Sequence, residues 1–321
     1  MKQRFSKRTR LVSALLTLAM VFTFLPFSAF AATDSYGPVY ITDANVPDKT
    51  FREYLLKQFD KDGNGVLTPA ERYAVTEIDV ENKYISNLSG LQFFPNLKVL
   101  NCSHNRLTKL DVSKNTVLQE LVCWENQLTS LDVSQNTALV TLSCSQNRLT
   151  SLNVRQNTEL VHLYCNDNKL TSLDVSQNPE LWILNCSINQ LTELDVSQNP
   201  ELEFMYCNDN NLTSLDVSQT AVTELKASDN KIDINIEETS CTFDLSTLPG
   251  FDVSKATNWK GGTVNGSILT VDEGATKVTY SYDCGRGLTS VFSLQVLTLT
   301  RIKQVNLRVN TPKKNEMPTQ A

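Results

Sequence analysis

Apolar residues between Leu97 and Ser218 recur at fixed places in a 21-residue unit, with polar residues between them. Leu100, Leu121, Leu142, Leu163, Leu184 and Met205 stand two places before Cys102, Cys123, Cys144, Cys165, Cys186 and Cys207. Asn105, Asn126, Asn147, Asn168, Asn189 and Asn210 stand three places after them. In the unit from Leu121 to Val133, the inward positions are Leu121, Cys123, Leu128, Leu131 and Val133. Leu121 and Cys123 are two apart, which predicts a short strand with both side chains on its core side. Asn126 marks the turn, and Leu-Thr-Ser-Leu-Asp-Val-Ser forms the return leg. A second Asn, at 115, 136, 157, 178 and 199, is followed by Thr or Pro and marks the opposite corner. One such coil cannot bury its own apolar face, whereas a stack of coils can.

A period of this length carrying L-x-x-L-x-L-x-x-N predicts a leucine-rich-repeat solenoid, mainly β in character. Ile78 to Leu91 reads as a first, irregular coil. After Ser218 the repeat shortens: Asn230 follows Asn210 by 20 residues and Ala227 takes the cysteine position. Atypical coils are expected where a stack is capped. The pattern L-x-C-x-x-N-x-L-T-x-L-D-V-S-x-N-[TP]-x-L resembles the 21-residue cysteine-ladder repeats of bacterial internalins of the internalin J type. The resemblance implies a surface-adhesion or ligand-binding role.

The repeat cysteines have two readings. Secretion and an even count suggest disulfides or metal ligands. The spacing suggests a stack of buried thiols at a leucine position, and it is preferred. Adjacent coils place these Cα atoms about 4.8 Å apart, but the Cβ vectors run parallel rather than toward one another. No C-x-x-C pair or neighbouring His set offers a zinc site.

A second pattern precedes the solenoid. Asp60-Lys-Asp62-Gly-Asn64-Gly65-Val66-Leu67-Thr68-Pro-Ala-Glu71 fits D-x-[DN]-x-[DN]-G-x5-E at every specified position. Asp60, Asp62 and Asn64 supply side-chain oxygens and Val66 a backbone carbonyl. Thr68 acts directly or through water, and Glu71 closes the site bidentately, a ligand set suited to Ca²⁺. Phe51, Tyr54, Leu55 and Phe59 form one stripe of an entry helix, and a shorter exit helix is expected from Thr68 toward Tyr73. The expectation is an EF-hand-like cap on the open end of the solenoid, with structural calcium. A single loop also resembles one half of a dockerin, but the duplicate loop is missing.

From about Thr242 the 21-residue period is gone. Ser267–Val271, Lys277–Tyr282 and Val291–Val296 are rich in β-branched or aromatic residues and are separated by Gly-containing turns. They predict a small antiparallel β-domain, which resembles the immunoglobulin-like modules that follow internalin repeats. Cys241 and Cys284 lie off the repeat and are candidates for a disulfide.

Strand positions between the inward residues should form solvent-facing columns. One runs Val99, Glu120, Thr141, His162, Ile183, Phe204; the next runs Asn101, Val122, Ser143, Tyr164, Asn185, Tyr206. Trp124 and Trp182 lie on flanking columns. The expected ligand-binding face therefore comprises Trp124, His162, Tyr164, Trp182, Ile183, Phe204 and Tyr206, because clustered exposed aromatics mark contact surfaces.

Charge and the N-terminus bound the rest. Lys2, Arg4, Lys7, Arg8 and Arg10 precede the largely apolar run Leu11–Phe27 and the small-x-small sequence Ala29-Phe30-Ala31, which reads as a secretory signal peptide. Its removal takes the net charge from −6 to about −11, which argues against nucleic acid as a partner. No later segment reaches the length of a membrane span. No Leu-Pro-x-Thr-Gly-like sorting signal stands near Ala321, so the expected location is extracellular, secreted or held non-covalently at the surface. The expected organisation is 1–31 signal peptide, 32–77 helical cap, 78–235 solenoid, 236–300 small β-domain and 301–321 disordered tail. With two histidines, His104 and His162, and no apparent His, Ser and Asp constellation, the expected function is non-catalytic recognition of an extracellular protein ligand. The alternative is a glycan-binding accessory to an extracellular carbohydrate-degrading system.

Overall fold

The computed structural model describes residues 36–237 and 240–299. The expected signal peptide and C-terminal tail lie outside the described residues.

The described residues begin with β1 (Val39–Tyr40), an entry helix (Lys49–Phe59), β2 (Val66–Leu67) and an exit helix (Pro69–Ala74). Asp48 caps the entry helix by accepting from the Phe51 N–H at 3.1 Å. The helix buries Phe51 and Leu55, the centre of its apolar stripe. Thr68 and Glu71 form a reciprocal capping box at the exit helix, with Pro69 at its first turn.

Eight short strands then stack as one parallel sheet: β3 (Glu77–Asp79), β4 (Val99–Asn101), β5 (Glu120–Val122), β6 (Thr141–Ser143), β7 (His162–Tyr164), β8 (Ile183–Asn185), β9 (Phe204–Tyr206) and β10 (Glu224–Lys226). Their register aligns the middle residues Ile78, Leu100, Leu121, Leu142, Leu163, Leu184, Met205 and Leu225. The six repeat cysteines are all completely buried beside this column. Burial, foremost, pushes the thiols up, to about 12 for Cys144 and Cys186, so they serve as small apolar side chains.

Asparagine holds the corners. Asn126 donates from Nδ2 to the Cys102 and Cys123 carbonyls at 3.0 and 3.2 Å, and its Oδ1 accepts from the Leu107 N–H at 2.9 Å. One amide thus ties two coils together where strand hydrogen bonding ends. Asn230 does the same for the shortened last coil, reaching the Cys207 and Ala227 carbonyls. The second Asn acts at the opposite corner: Asn136 Nδ2 reaches the Val112 and Asn115 carbonyls, both at 2.9 Å. Each coil leaves its strand through one left-handed residue: Asn82, His104, Glu125, Gln146, Asp167, Ile188, Asp209 and Asp229, with φ between 52° and 59°.

The N-terminal helices close one end. Phe59 packs on Phe94 with ring centroids 5.8 Å apart, Tyr54 Oη accepts from the Asp79 N–H, and Asp48 accepts from the Ser86 N–H. Buried Arg72 donates to the carbonyls of Gly37 and Phe93, joining the incoming chain, the exit helix and the first coil.

At the other end, β11 (Asn230–Glu237) continues from the last coil. It is followed by β12 (Thr242–Asp244), β13 (Ala256–Lys260), β14 (Gly262–Asn265), β15 (Ile268–Val271), β16 (Lys277–Gly285) and β17 (Leu288–Leu299). They form a four-stranded sheet ordered β11-β17-β16-β13 and a three-stranded sheet ordered β12-β15-β14. The strand-forming runs of the sequence become β15, β16 and β17. The pairing is not wholly antiparallel, because β11, running on from the solenoid, lies parallel to β17. The join is tight. Tyr280 Oη donates to the Thr213 carbonyl at 2.6 Å, the Val217 N–H donates to the Cys284 carbonyl at 2.8 Å, and Lys255 pairs with Asp216 at 2.8 Å. Buried apolar side chains run continuously from Val39 through the repeats to Leu294 as one core. Cys284 is a buried free thiol whose Sγ lies 3.6 Å from the Tyr282 carbonyl. Of the candidate pair Cys241 and Cys284, Cys284 packs at the junction with the solenoid, where its carbonyl accepts from the Val217 N–H.

Candidate functional site

Two clusters stand out, one in the loop between the first helices and one on the strand face.

In the loop, Gly63 (φ 70°) and Gly65 (φ 80°) adopt left-handed conformations that bend the backbone around the Asp60 side chain. Asp60 Oδ1 accepts from the Gly63 N–H at 2.9 Å, and Oδ2 accepts from the Gly65 N–H at 2.8 Å. Asn64 Oδ1 accepts from the Val66 N–H at 2.7 Å, and Asn64 Nδ2 donates to Asp62 at 2.7 Å. Glu71 Oε1 accepts from the Lys61 N–H at 2.8 Å, and Oε2 accepts from the Thr68 N–H and Oγ1 at 2.9 and 2.8 Å. The Gly65 N–H, foremost, holds the Asp60 carboxyl below its ordinary value. Burial pushes Glu71 upward, but the Lys61 and Thr68 donors outweigh it and leave its carboxyl lowered. Asp60, Asp62 and Glu71 bring carboxylate oxygens within 4.8 Å of one another, a cluster able to hold a divalent cation. Of the other expected ligands, Asn64 and Thr68 turn their side chains into the loop's own hydrogen bonds, and Val66 lies in β2.

Sequence reasoning left this loop without a partner; the structure supplies one. β2 pairs antiparallel with β1, aligning Val66 with Tyr40 and Leu67 with Val39. Two residues leave almost no hydrophobic pattern to read, so this strand was not visible in the sequence.

On the strand face, register brings the expected columns together. Thr141, His162, Ile183 and Phe204 align, as do Ser143, Tyr164, Asn185 and Tyr206. His162, Trp182 and Phe204 are in ring contact, at 5.7 Å and 5.2 Å between successive centroids. His162 also stacks with Tyr164 at 6.5 Å. All are half-buried. Trp182 Nε1 donates to Glu203 at 2.9 Å, and Tyr206 Oη donates to Glu224 at 2.9 Å under the Lys226 ammonium. Burial lowers the His162 pKa and raises that of Tyr164, and the Glu224 hydrogen bond raises that of Tyr206. The aromatics thus stand fixed in place and remain partly open to solvent.

Trp124 does not join them. It lies against His104 at 4.0 Å, two coils from His162, and the intervening coil carries Thr141, Ser143 and Ser145. His104 in turn pairs with Glu125 at 2.9 Å. Ile188, 49% exposed in its left-handed turn, was missed by the sequence reading. Its signal is visible in retrospect as the one aliphatic residue in a column of polar ones.

The regular acidic column of the return legs is turn chemistry. Asp111, Asp132, Asp174, Asp195 and Asp216 each accept from the backbone N–H two residues on. Among the described residues no helix is long and apolar enough to cross a membrane.

No protein-family model matches the chain, and no curated protein does so either. Among solved structures, internalin C2 from Listeria monocytogenes is similar at 20% identity and a TM-score of 0.55, over 61% of this chain and 89% of that one. A second internalin of that organism, inlF, matches at 18% identity and a TM-score of 0.43, over 63% of this chain and 75% of that one. The functional domain of InlJ, also from Listeria monocytogenes and described as including a cysteine ladder, matches at 18% identity and a TM-score of 0.23, over 81% and 99%. The likeness to internalin C2 establishes the leucine-rich-repeat solenoid as the fold.

Proposed function

We propose that this solenoid is a non-catalytic extracellular recognition protein that binds a protein ligand on its strand face. The observation that carries the reading is the ring-contact series His162, Trp182 and Phe204, flanked by Tyr164 and Tyr206 on a half-open sheet. A rigid aromatic surface gains contact area at small entropic cost, and Trp and Tyr are enriched at interface hot spots. The surface-adhesion role implied by the internalin-like repeats supports the reading, as does a leader with the features of a secretory signal. Trp124 stands apart and is a secondary element of the face.

The N-terminal unit, residues 32–77, is proposed as an EF-hand-like cap in which Ca²⁺ is structural. Asp60, Asp62 and Glu71 form its carboxylate core, with Asn64, Val66 and Thr68 completing the ligand set. β1 takes the place that a second loop's strand would occupy. The ion would neutralise carboxylates that the loop already draws together. The C-terminal strands, 236–300, are proposed as a terminal β-module that closes the other end.

The test is the full chain on protein and glycan arrays beside the double variant Trp182→Ala, Tyr206→Ala. Protein ligands that the double variant loses, with its fold and cooperative unfolding retained, are the expected result. Hits confined to glycans would favour the alternative of a carbohydrate-binding accessory. Protein binding untouched by the double variant would remove the strand face from the proposal.

A further inference from the structure

In the column of left-handed residues that turn the chain off each strand, every member except Ile188 is polar. A left-handed backbone drives Cβ toward the following carbonyl, and a β-branched side chain makes that conformation a true outlier. Ile188 holds φ at 55° and leaves 49% of its surface exposed. The position is thus disfavoured twice, by backbone strain and by apolar contact with water. Folding explains neither, because the Ile188 N–H donates to the Asn208 carbonyl at 2.9 Å through a backbone group any residue there would offer.

Its surroundings give the position a use. The Ile188 coil lies between those carrying Tyr164 and Tyr206, whose positions flank Asn185 in the sheet. In the same column, exposed Asp167 and Asp209 occupy the neighbouring coils. Glu203 stands beside Trp182, whereas Glu224, beside Tyr206, already pairs with Lys226 at 3.8 Å, so the acidic groups the site offers a partner are Asp167, Asp209 and Glu203. We infer that Ile188 is an apolar anchor of the strand-face site and that the partner is a protein segment presenting apolar side chains beside basic ones. This rests on the strand-face reading and narrows it. An isoleucine offers neither a hydrogen bond nor a π face to a sugar, and the surrounding carboxylates complement Lys and Arg.

The test uses the full chain and three immobilised peptides of equal length, alternating Lys-Leu, Lys-Ser and Glu-Leu, with a cello-oligosaccharide as the glycan probe. Wild type is expected to bind the Lys-Leu peptide more tightly than the other three probes. Ile188→Asn suits the left-handed turn and should raise the melting temperature by about 2–4 °C, while weakening Lys-Leu binding about tenfold. That opposition of stability and binding is the signature of the anchor. Loss of binding in Trp182→Ala but not in Ile188→Asn would overturn the anchor and leave the strand face standing. Binding that neither variant alters would overturn both. Equal or better binding of Glu-Leu, Lys-Ser or the oligosaccharide, or no binding of Lys-Leu, would overturn the basic, apolar partner.

Discussion

The asparagine amide is the smallest unit that explains this fold. Asn147 Nδ2 reaches the Cys123 and Cys144 carbonyls at 3.0 and 3.1 Å, and its Oδ1 accepts from the Leu128 N–H at 3.0 Å. These backbone groups sit where the chain leaves the sheet and water cannot replace the amide. Asn147→Ala should cost at least about 2 kcal/mol in denaturant unfolding, since it strands several buried groups at once. A cost near zero would show that the coil relaxes around the gap. At this scale the sequence was informative where chemistry recurs: asparagine at a fixed place after cysteine already implied a corner. It was silent where the determinant is a backbone angle. Ile183 and Ile188 are the same residue type five places apart, yet only Ile188 adopts a left-handed turn; the repeat places them in different columns, but nothing in the residue type announces the backbone angle.

Among elements, the helix-loop-helix segment shows how a single acidic loop can be supported without a second one. β1 pairs with the loop strand, and Arg72 ties Gly37 to Phe93, so the loop is braced on two sides. Gly90 marks how closely the first coil approaches, since a Cβ there would lie 2.9 Å from Val46 Cγ2. A divalent cation that bound only the folded loop would stabilise the folded state by mass action. Melting should rise in millimolar Ca²⁺ relative to chelator, and Glu71→Gln should abolish most of that rise while also lowering the chelated melting temperature, because an amide nitrogen cannot accept from the Lys61 or Thr68 donors. Identical melting with and without calcium would remove structural calcium from the account. Both helices and the loop were legible, because capping residues and ligand spacing are local. The brace was not, because it depends on contacts between Gly37 or Val39 and residues about 30 positions away.

For the whole molecule, acid is the revealing perturbation. Lys255 and the Ser218 N–H depress Asp216 to about 2, and Ser176 with Arg155 does the same for Asp174. A carboxyl lowered in the folded state contributes stability above its unfolded value of about 3.9, and that contribution is lost as pH falls toward the folded value. The melting temperature should therefore be nearly level above about pH 5 and fall between about pH 4 and pH 2. These groups are exposed, so each contributes little and added salt should soften the fall. The solenoid was legible almost residue by residue, since the 21-residue period fixes register. The C-terminal sheets were only partly so: β15, β16 and β17 show β-rich runs, but parallel pairing of β11 with β17 joins segments about 60 residues apart. The end structures clasp only the outermost coils, and every inner coil meets its neighbours through the same strand register and the same asparagine corners. Separation along the stack is therefore quantised. Loss or duplication of one 21-residue coil between them would move the acidic loop and the aromatic strip relative to each other by one step of about 4.8 Å and leave both ends seated. The repeat thus acts as a ruler whose graduations are coils, and recombination within the repeat tract would reset the distance between the N-terminal loop and the aromatic strip without altering any contact at either end.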